Sequence, residues 1–383
     1  MKLVVRKDQL IDRIRKVLSY CTSNDEQKIE SHLLFDVDDD GVSIKASDTL
    51  VCASLRMEEG NGFVSSEGSM QFTVEEGRLK KWLKNTIGEE VEFVCADGDL
   101  RIRCGDFQTP MPTHENVGSF PSLAYDGAFV ISSELMSTPV AVMLDAVEYI
   151  SQFVADDLTR ADPTGKFKIA QMRGNEFHGT DSNALGIYKS DLLDCEMKIE
   201  HKQLKPLIKY LKYQPGDVEI QVSDGGKYTF LSTDNGSYFG LHIPSNELPN
   251  LKNIPTGLIE RHIVDVKRSD VEHAIGSLQA ISHEDDRALH IEMDGNKDQV
   301  VFSKWSEIDG EMAESKIPCT WKKSATENLS MVVPDDLLEK AVTEYGEQLS
   351  LVYNPAKNYL KLHEESETED LKVCLITLRK QMG

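Results

Sequence analysis

Apolar residues return with helical spacing in three related stretches of this chain. In residues 74–87, VEEGRLKKWLKNTI, a 100° rotation per residue places Leu79, Trp82, Leu83 and Thr86 on one face of a helix. Lys81, Lys84 and Asn85 fall opposite, with Arg78 and Lys80 flanking. The pattern returns without a gap as IEHKQLKPLIKYLKY from Ile199 and as VPDDLLEKAVTEYGE from Val333. Val74, Leu79, Trp82 and Leu83 correspond to Ile199, Leu204, Leu207 and Ile208, and then to Val333, Leu338, Ala341 and Val342. The copies lie much further apart than the roughly 20–50 residues of solenoid and propeller repeats, so each marks a whole domain.

Around each copy, short runs with strand-like alternation are separated by Asp, Asn and Gly turn signals. Examples are SHLLFDV, GVSIKAS, LVCASLRM, EFHGTD, ALGIYKSD, ALHIEM and LKVCLITL. A second helix precedes each copy: residues 7–20, with Leu10, Ile14, Val17 and Leu18 on its buried face, residues 134–154, and residues 269–281. A strand at 128–132 is expected to open the middle repeat, and Pro139 leaves the start of its helix open. The recipe is strand, helix, three strands, used twice per domain. It predicts an α+β chain of three tandem domains, 1–124, 125–257 and 258–383, each of two β-α-β-β-β units with antiparallel sheets.

Charge changes this picture. The 383 residues carry a formal net charge of -23, so cations gathered on a few helices run against the composition, and nucleic acid would be repelled from most of the surface. The first helix (Arg13, Arg15, Lys16), the helix of Arg78, Lys80, Lys81 and Lys84, and the helix of Lys202, Lys205 and Lys209 are basic. The third copy, with Asp335, Asp336, Glu339, Glu344 and Glu347, is acidic, and Pro206 inside the second copy threatens a kink.

Chemistry is otherwise sparse. Seven scattered cysteines form no CxxC pair, and no phosphate loop, HExxH or GxSxG occurs, so no catalytic residue, metal or cofactor is expected. Asp36, Asp38, Asp40 and Gly41 match half of a calcium loop, but Ser47 stands where a bidentate Glu is required, which favours an acidic hairpin turn. No apolar run reaches 18 residues and the N-terminus becomes charged at once, which predicts a cytoplasmic protein with no membrane partner.

Several stretches, taken in order, resemble the bacterial DNA polymerase III beta sliding clamp family over essentially the whole chain. They are the opening MKLVVRKDQLIDRIRKV, the segment GEEVEFVCADGDLRIRCGDFQ, the domain ends FPSL and LPNL, and GTDSNAL in the second repeat. The resemblance implies a non-catalytic processivity factor: a head-to-tail homodimer whose six domains close into a ring, helices inside and sheets outside, around duplex DNA. It also implies a DNA polymerase and a clamp loader as partners. Phosphate contacts hold without reading sequence, which suits a ring that slides. Arg13, Arg15, Lys16, Arg78, Lys80, Lys81, Lys84, Lys202, Lys205 and Lys209 are then the lining candidates.

By position, the family's peptide pocket falls on Thr180, Leu185, Pro249, Ile254, Leu375, Ile376 and Leu378. The sequence departs from the family where Ser182, Asn183 and Ala184 replace its usual Gly-His-Arg, and in the tail RKQMG, which suits a bacteriophage protein with its own polymerase. Trp82, Phe107 and Ile281 are the candidates for the dimer interface. The alternative reading is an acidic, non-enzymatic scaffold that sequesters DNA-binding proteins without encircling DNA.

Overall fold

The computed structural model describes all residues except 18–28, 49, 97–98, 115, 122–135, 158–161, 224–225, 234–235, 250–261, 284–285, 295–296, 309, 324–328, 354–358, 365–370 and 379–383. The chain divides into two compact units, Met1–Leu144 with Lys202–Pro244, and Asp145–His201 with Ser245–Gly383. Elements are numbered in chain order. Every named strand pair is antiparallel, and each of the four sheets lies within one unit.

In the first unit, a five-stranded sheet runs β5 (Phe63–Glu67), β1 (Lys2–Arg6), β7 (Glu90–Ala96), β8 (Asp99–Cys104), β9 (Phe107–Met111). An eight-stranded sheet runs β10 (Met136–Pro139), β15 (Asp217–Val222), β16 (Tyr228–Ser232), β17 (Tyr238–His242), β4 (Val51–Glu58), β3 (Gly41–Ser47), β2 (His32–Val37), β6 (Met70–Glu75). The second sheet is continuous because β17 pairs with β4, Phe239 opposite Ala53. Cys52, Phe230 and Tyr238 pack at that seam. Gln203 on α4 (His201–Leu211) is 1% exposed and donates to the carbonyls of Leu50 and His242 at 3.0 and 2.9 Å, fixing the helix to the two strands.

The second unit has a nine-stranded sheet, β14 (Cys195–Glu200), β11 (Ile169–Gly174), β12 (Glu176–Thr180), β13 (Ala184–Lys189), β26 (Leu371–Thr377), β25 (Tyr359–His363), β24 (Gln348–Tyr353), β18 (His262–Lys267), β22 (Thr320–Lys323). Its four-stranded sheet is β21 (Met312–Pro318), β20 (Gln299–Trp305), β19 (Ala288–Met293), β23 (Leu329–Pro334). Its core buries a phenol relay: Tyr149 donates to Tyr345 Oη at 3.1 Å, and Tyr345 donates to the Leu362 carbonyl at 3.1 Å. Burial holds both phenols protonated, well above the usual tyrosine range.

The remaining helices are α1 (Lys7–Val17), α2 (Glu76–Asn85), α3 (Val140–Ser151), α5 (Arg268–Gln279) and α6 (Asp335–Val342). Each of the three sequence copies folds as the end of a strand followed by a helix, with two corrections to the helical reading. Val74, Ile199 and Val333 belong to β6, β14 and β23, each the buried penultimate residue of the strand before its helix. Leu79 and Leu83, Leu204 and Leu207, and Leu338, Ala341 and Val342 are buried beneath α2, α4 and α6, while Trp82 and Ile208 are half-buried. Thr86 is not on the helix but caps it in extended conformation.

The helix expected at 134–154 starts later. Met136–Pro139 form a strand, and α3 begins at Val140, whose N–H bonds the Gly216 carbonyl at 2.9 Å. Thr138 precedes a proline and is driven to extended backbone, and Pro139 has no N–H to give the ladder beyond its edge position. The strand expected at 128–132 lies outside the described residues. Pro206 does not break α4, which runs through it. The recipe of three strands after each helix describes the middle repeat, whereas the flanking repeats each add one strand, β5 and β22, on the outer side of β1 and β18.

Candidate functional site

All three basic helices fall in the first unit. α2 is capped by Glu75, whose carboxylate accepts the N–H groups of Gly77 and Arg78 at 2.8 and 2.9 Å, so its N-terminal dipole is answered from the preceding strand. Its cations point outward: Lys81 and Lys84 are exposed, and so are Arg78, 3.4 Å from Glu75, and Lys80, 3.9 Å from Glu76. On α4, Lys202 and Lys205 are exposed and Lys209 is half-buried. On α1 the candidates separate. Arg15 is exposed, whereas Lys16 is held by Asp12 at 2.7 Å and lies 5.1 Å over the ring of Tyr213, just past α4. Arg13 lies 3.9 Å from Asp12 with its Nε buried. Lys16 therefore ties α1 to the stretch after α4, and both Lys16 and Arg13, each half-buried, offer less charge to solvent than Arg15 does.

The acidic turn between β2 and β3 is partly neutralised from the neighbouring strands. Arg56 grips both oxygens of Asp38 at 2.8 and 2.9 Å, and Asp36 accepts from Lys45 at 2.7 Å and Gln71 at 2.9 Å. The Arg56 hydrogen bonds hold the Asp38 carboxyl below the usual range. Among the described residues no group of three or more His, Cys, Asp or Glu is placed to hold a metal ion.

The peptide-site candidates that can be described lie in the second unit. Leu185 and Leu375 are direct cross-strand partners on β13 and β26, and with Ile187 and Val373 they form a buried apolar cluster on one face of the sheet. Thr180 is opposite Leu185 and donates to the Ala184 carbonyl at 2.6 Å, closing the hairpin Asp181–Ser182–Asn183. Ser182 there has φ +82, a left-handed conformation that suits glycine. Ile376 is buried in the next row, opposite Ala184, and so projects to the other face of the sheet from Leu375; Leu378 is also buried. Pro249 lines a cavity of about 410 Å³ with Leu248, Gln171, Arg173, Glu176 and His178. Register places this cavity beside the apolar cluster, because His178 is the partner of Ile187. Burial lowers the His178 pKa, opposed by Glu176 at 3.1 Å. Ile254 lies outside the described residues.

Of the interface candidates, Phe107 is 52% exposed at the start of β9, a free sheet edge. Trp82 and Ile281 are half-buried. The structure adds residues that the sequence reading missed. Ile87, 80% exposed, belongs to the loop that packs against the Gly105 turn leading into Phe107. In the other unit, Trp305 and Met312 pair across the β20–β21 hairpin with Ile308 at its tip, all three exposed, and the Glu307 N–H bonds the Ile281 carbonyl at 3.0 Å. The signal available in sequence was the apolar pair Trp305 and Ile308 in an otherwise charged hairpin.

Four sheets assembled from strand-helix-strands repeats define the sliding-clamp fold. The chain is similar over its whole length to solved bacterial clamps. The DNA polymerase III subunit beta of Pseudomonas aeruginosa matches with TM-score 0.83 and 15% identity, covering 99% of this chain and 100% of that one. The DNA polymerase sliding clamp of Bacillus subtilis matches with TM-score 0.83 and 16% identity, covering 100% and 99%. The DNA polymerase III subunit beta of Borrelia burgdorferi, in complex with a natural product, matches with TM-score 0.81 and 15% identity, covering 100% of both. No protein-family model matches the sequence, and no curated protein matches it. At such identities the likeness is one of fold. Among the described residues no helix is long and apolar enough to cross a membrane.

Proposed function

We propose that this chain is a non-catalytic DNA sliding clamp: two copies join head to tail into a ring around duplex DNA and tether a replicative polymerase. The observation that carries this reading is the clamp fold over the full length, joined to outward cations on α1, α2 and α4 in a chain of net charge -23. An acidic exterior turns DNA away while local cations hold phosphates without reading bases. The three repeats 1–124, 125–257 and 258–383 supply six domains to such a ring.

Ring closure is proposed between unlike edges. β9 ends one sheet of the first unit, with Phe107 and Ile87 exposed beside Arg101 and Arg103 on β8. β21 ends one sheet of the second, with Trp305, Ile308 and Met312 exposed beside Glu311 and Glu314. Each edge has backbone groups with no partner strand within its own sheet and an apolar anchor, and Arg101 and Arg103 on one suit Glu311 on the other, while Glu314 is held by Lys316 at 3.1 Å, which favours pairing between copies over pairing of like edges. The cluster of Leu185, Ile187, Val373 and Leu375, with Thr180 opposite Leu185 and the cavity of Pro249 beside it, is proposed to take a short apolar peptide from the polymerase and from the loader that opens the ring.

The net charge also fits a second reading, an acidic scaffold that occupies DNA-binding proteins. Small-angle scattering of the purified protein separates them. A hollow particle of two-chain mass is expected; a solid single-chain particle that binds no DNA would favour the scaffold.

A further inference from the structure

Among the described residues, the exposed helical cations are not shared evenly by the six α-helices. Arg15, Lys81, Lys84, Lys202 and Lys205 are exposed on α1, α2 and α4, and none has an acidic partner among the described residues. All five belong to the first unit. The other helices offer almost nothing to a phosphate. α3 carries Asp145 and Glu148 and no cation. The exposed face of α5 is small and carries no Lys or Arg, with Ser269, His273, Gly276 and Ser277, and its Arg268 is engaged by the Tyr345 carbonyl at 2.8 Å and Glu272 at 3.5 Å. On α6, Asp336 is held by Arg287 at 2.8 Å and Glu339 by Gln279 at 3.1 Å, which leaves Lys340 as its one exposed cation, beside Glu339.

We infer that duplex DNA is held by the phosphate contacts of the first unit alone, so that a two-copy ring presents two separate cationic arcs, with arcs of no net positive charge between them. The inference rests on the ring reading above and goes further by assigning the electrostatic track to five residues per copy. Phosphate contacts release counterions, and the log-log salt slope counts them at about 0.9 per neutralised phosphate. With arcs of no net positive charge between the cationic ones, DNA leans toward one copy or the other. The slope should then answer to charge on α2 and α4 and be indifferent to charge on α6.

The test measures affinity for a short fluorescent DNA duplex across a salt series, for the wild type and three variants: Lys81→Ala with Lys84→Ala, Lys202→Ala with Lys205→Ala, and Lys340→Ala. Scattering mass on each sample reports ring assembly independently, and thermal melting reports folding. The two double variants are expected to lower the slope by about one for each contacting lysine removed, while Lys340→Ala leaves it unchanged. Intact rings in which Lys340→Ala lowers the slope as much as a double variant, or in which neither double variant lowers it, would overturn the inference and leave the ring standing. A wild type that is not a hollow two-chain particle would overturn the ring reading and the inference with it.

Discussion

Leu185 on β13 and Leu375 on β26 face each other as direct cross-strand partners, 4% and 2% exposed, although one lies in the second sequence repeat and the other near the C-terminus. Their contact seals two sheet segments into one and lies at the centre of the proposed peptide site.

Leu375→Ala should therefore have two effects. Truncating a buried leucine removes apolar contacts and leaves a cavity, at a cost of about 2–5 kcal/mol, read from urea unfolding. Docking of an apolar peptide from a partner polymerase should weaken in parallel, read by titration calorimetry. Unaltered peptide affinity in a folded variant would place the docking site elsewhere.

Lys304 and Asp335 form a buried ion pair at 2.5 Å, 2% and 6% exposed. Burial alone would raise the Asp335 pKa, but the Lys304 hydrogen bond and charge, with Gln279 and the Asp336 N–H, hold it below the usual value. A folded-state pKa below the unfolded value of about 3.9 means that this stabilisation is complete above the unfolded pKa and is lost as pH falls through the folded one. Asp335→Asn leaves an unpaired buried ammonium and should cost about 3–5 kcal/mol at neutral pH, with a flatter acid limb in the stability–pH curve. A variant with the wild-type acid limb would show that another carboxylate governs it.

Phe107→Asp should yield single chains in gel filtration without altering the melting temperature much. Phe107 is already half in solvent, so its loss costs the fold within about 0.5 kcal/mol. A charge at the proposed contact with Trp305 and Ile308 of a second copy would be desolvated without a partner. A two-chain elution volume would refute that contact.

Gln203→Leu should destabilise the first unit by about 1–3 kcal/mol, because the His242 carbonyl loses its side-chain donor while Leu50 keeps the His242 N–H at 2.9 Å. Hydrogen exchange at β4 and β17 should rise in the variant; protection equal to wild type would show that the glutamine is dispensable.

Periodicity made much of this fold legible. Buried positions at helical spacing marked α2, α4 and α6 with their register, and alternation marked β2, β3, β4, β12, β13 and β26. The misses have physical causes. β5 and β21 are edge strands with mostly solvated side chains, so no apolar alternation announces them. Cys195, Met197 and Ile199 do alternate as buried residues, but the helical copy that follows absorbed the end of β14. The basic helices were visible as composition, yet nothing local could say that Lys16 would be taken by Asp12 and Tyr213 while Lys81 stayed open.

By itself the sequence determined which segments are helices and most of the strands, which face of each is apolar, and where cations concentrate, because these follow from side-chain spacing along a local backbone. Tertiary structure alone decided that β17 joins β4 and β13 joins β26, that the strong cations share one compact unit, and that Trp305, Ile308 and Met312 form one exposed cluster. Those pairings are made by backbone N–H and C=O groups that every segment carries alike. Which edges meet is therefore settled by the packing of the whole chain.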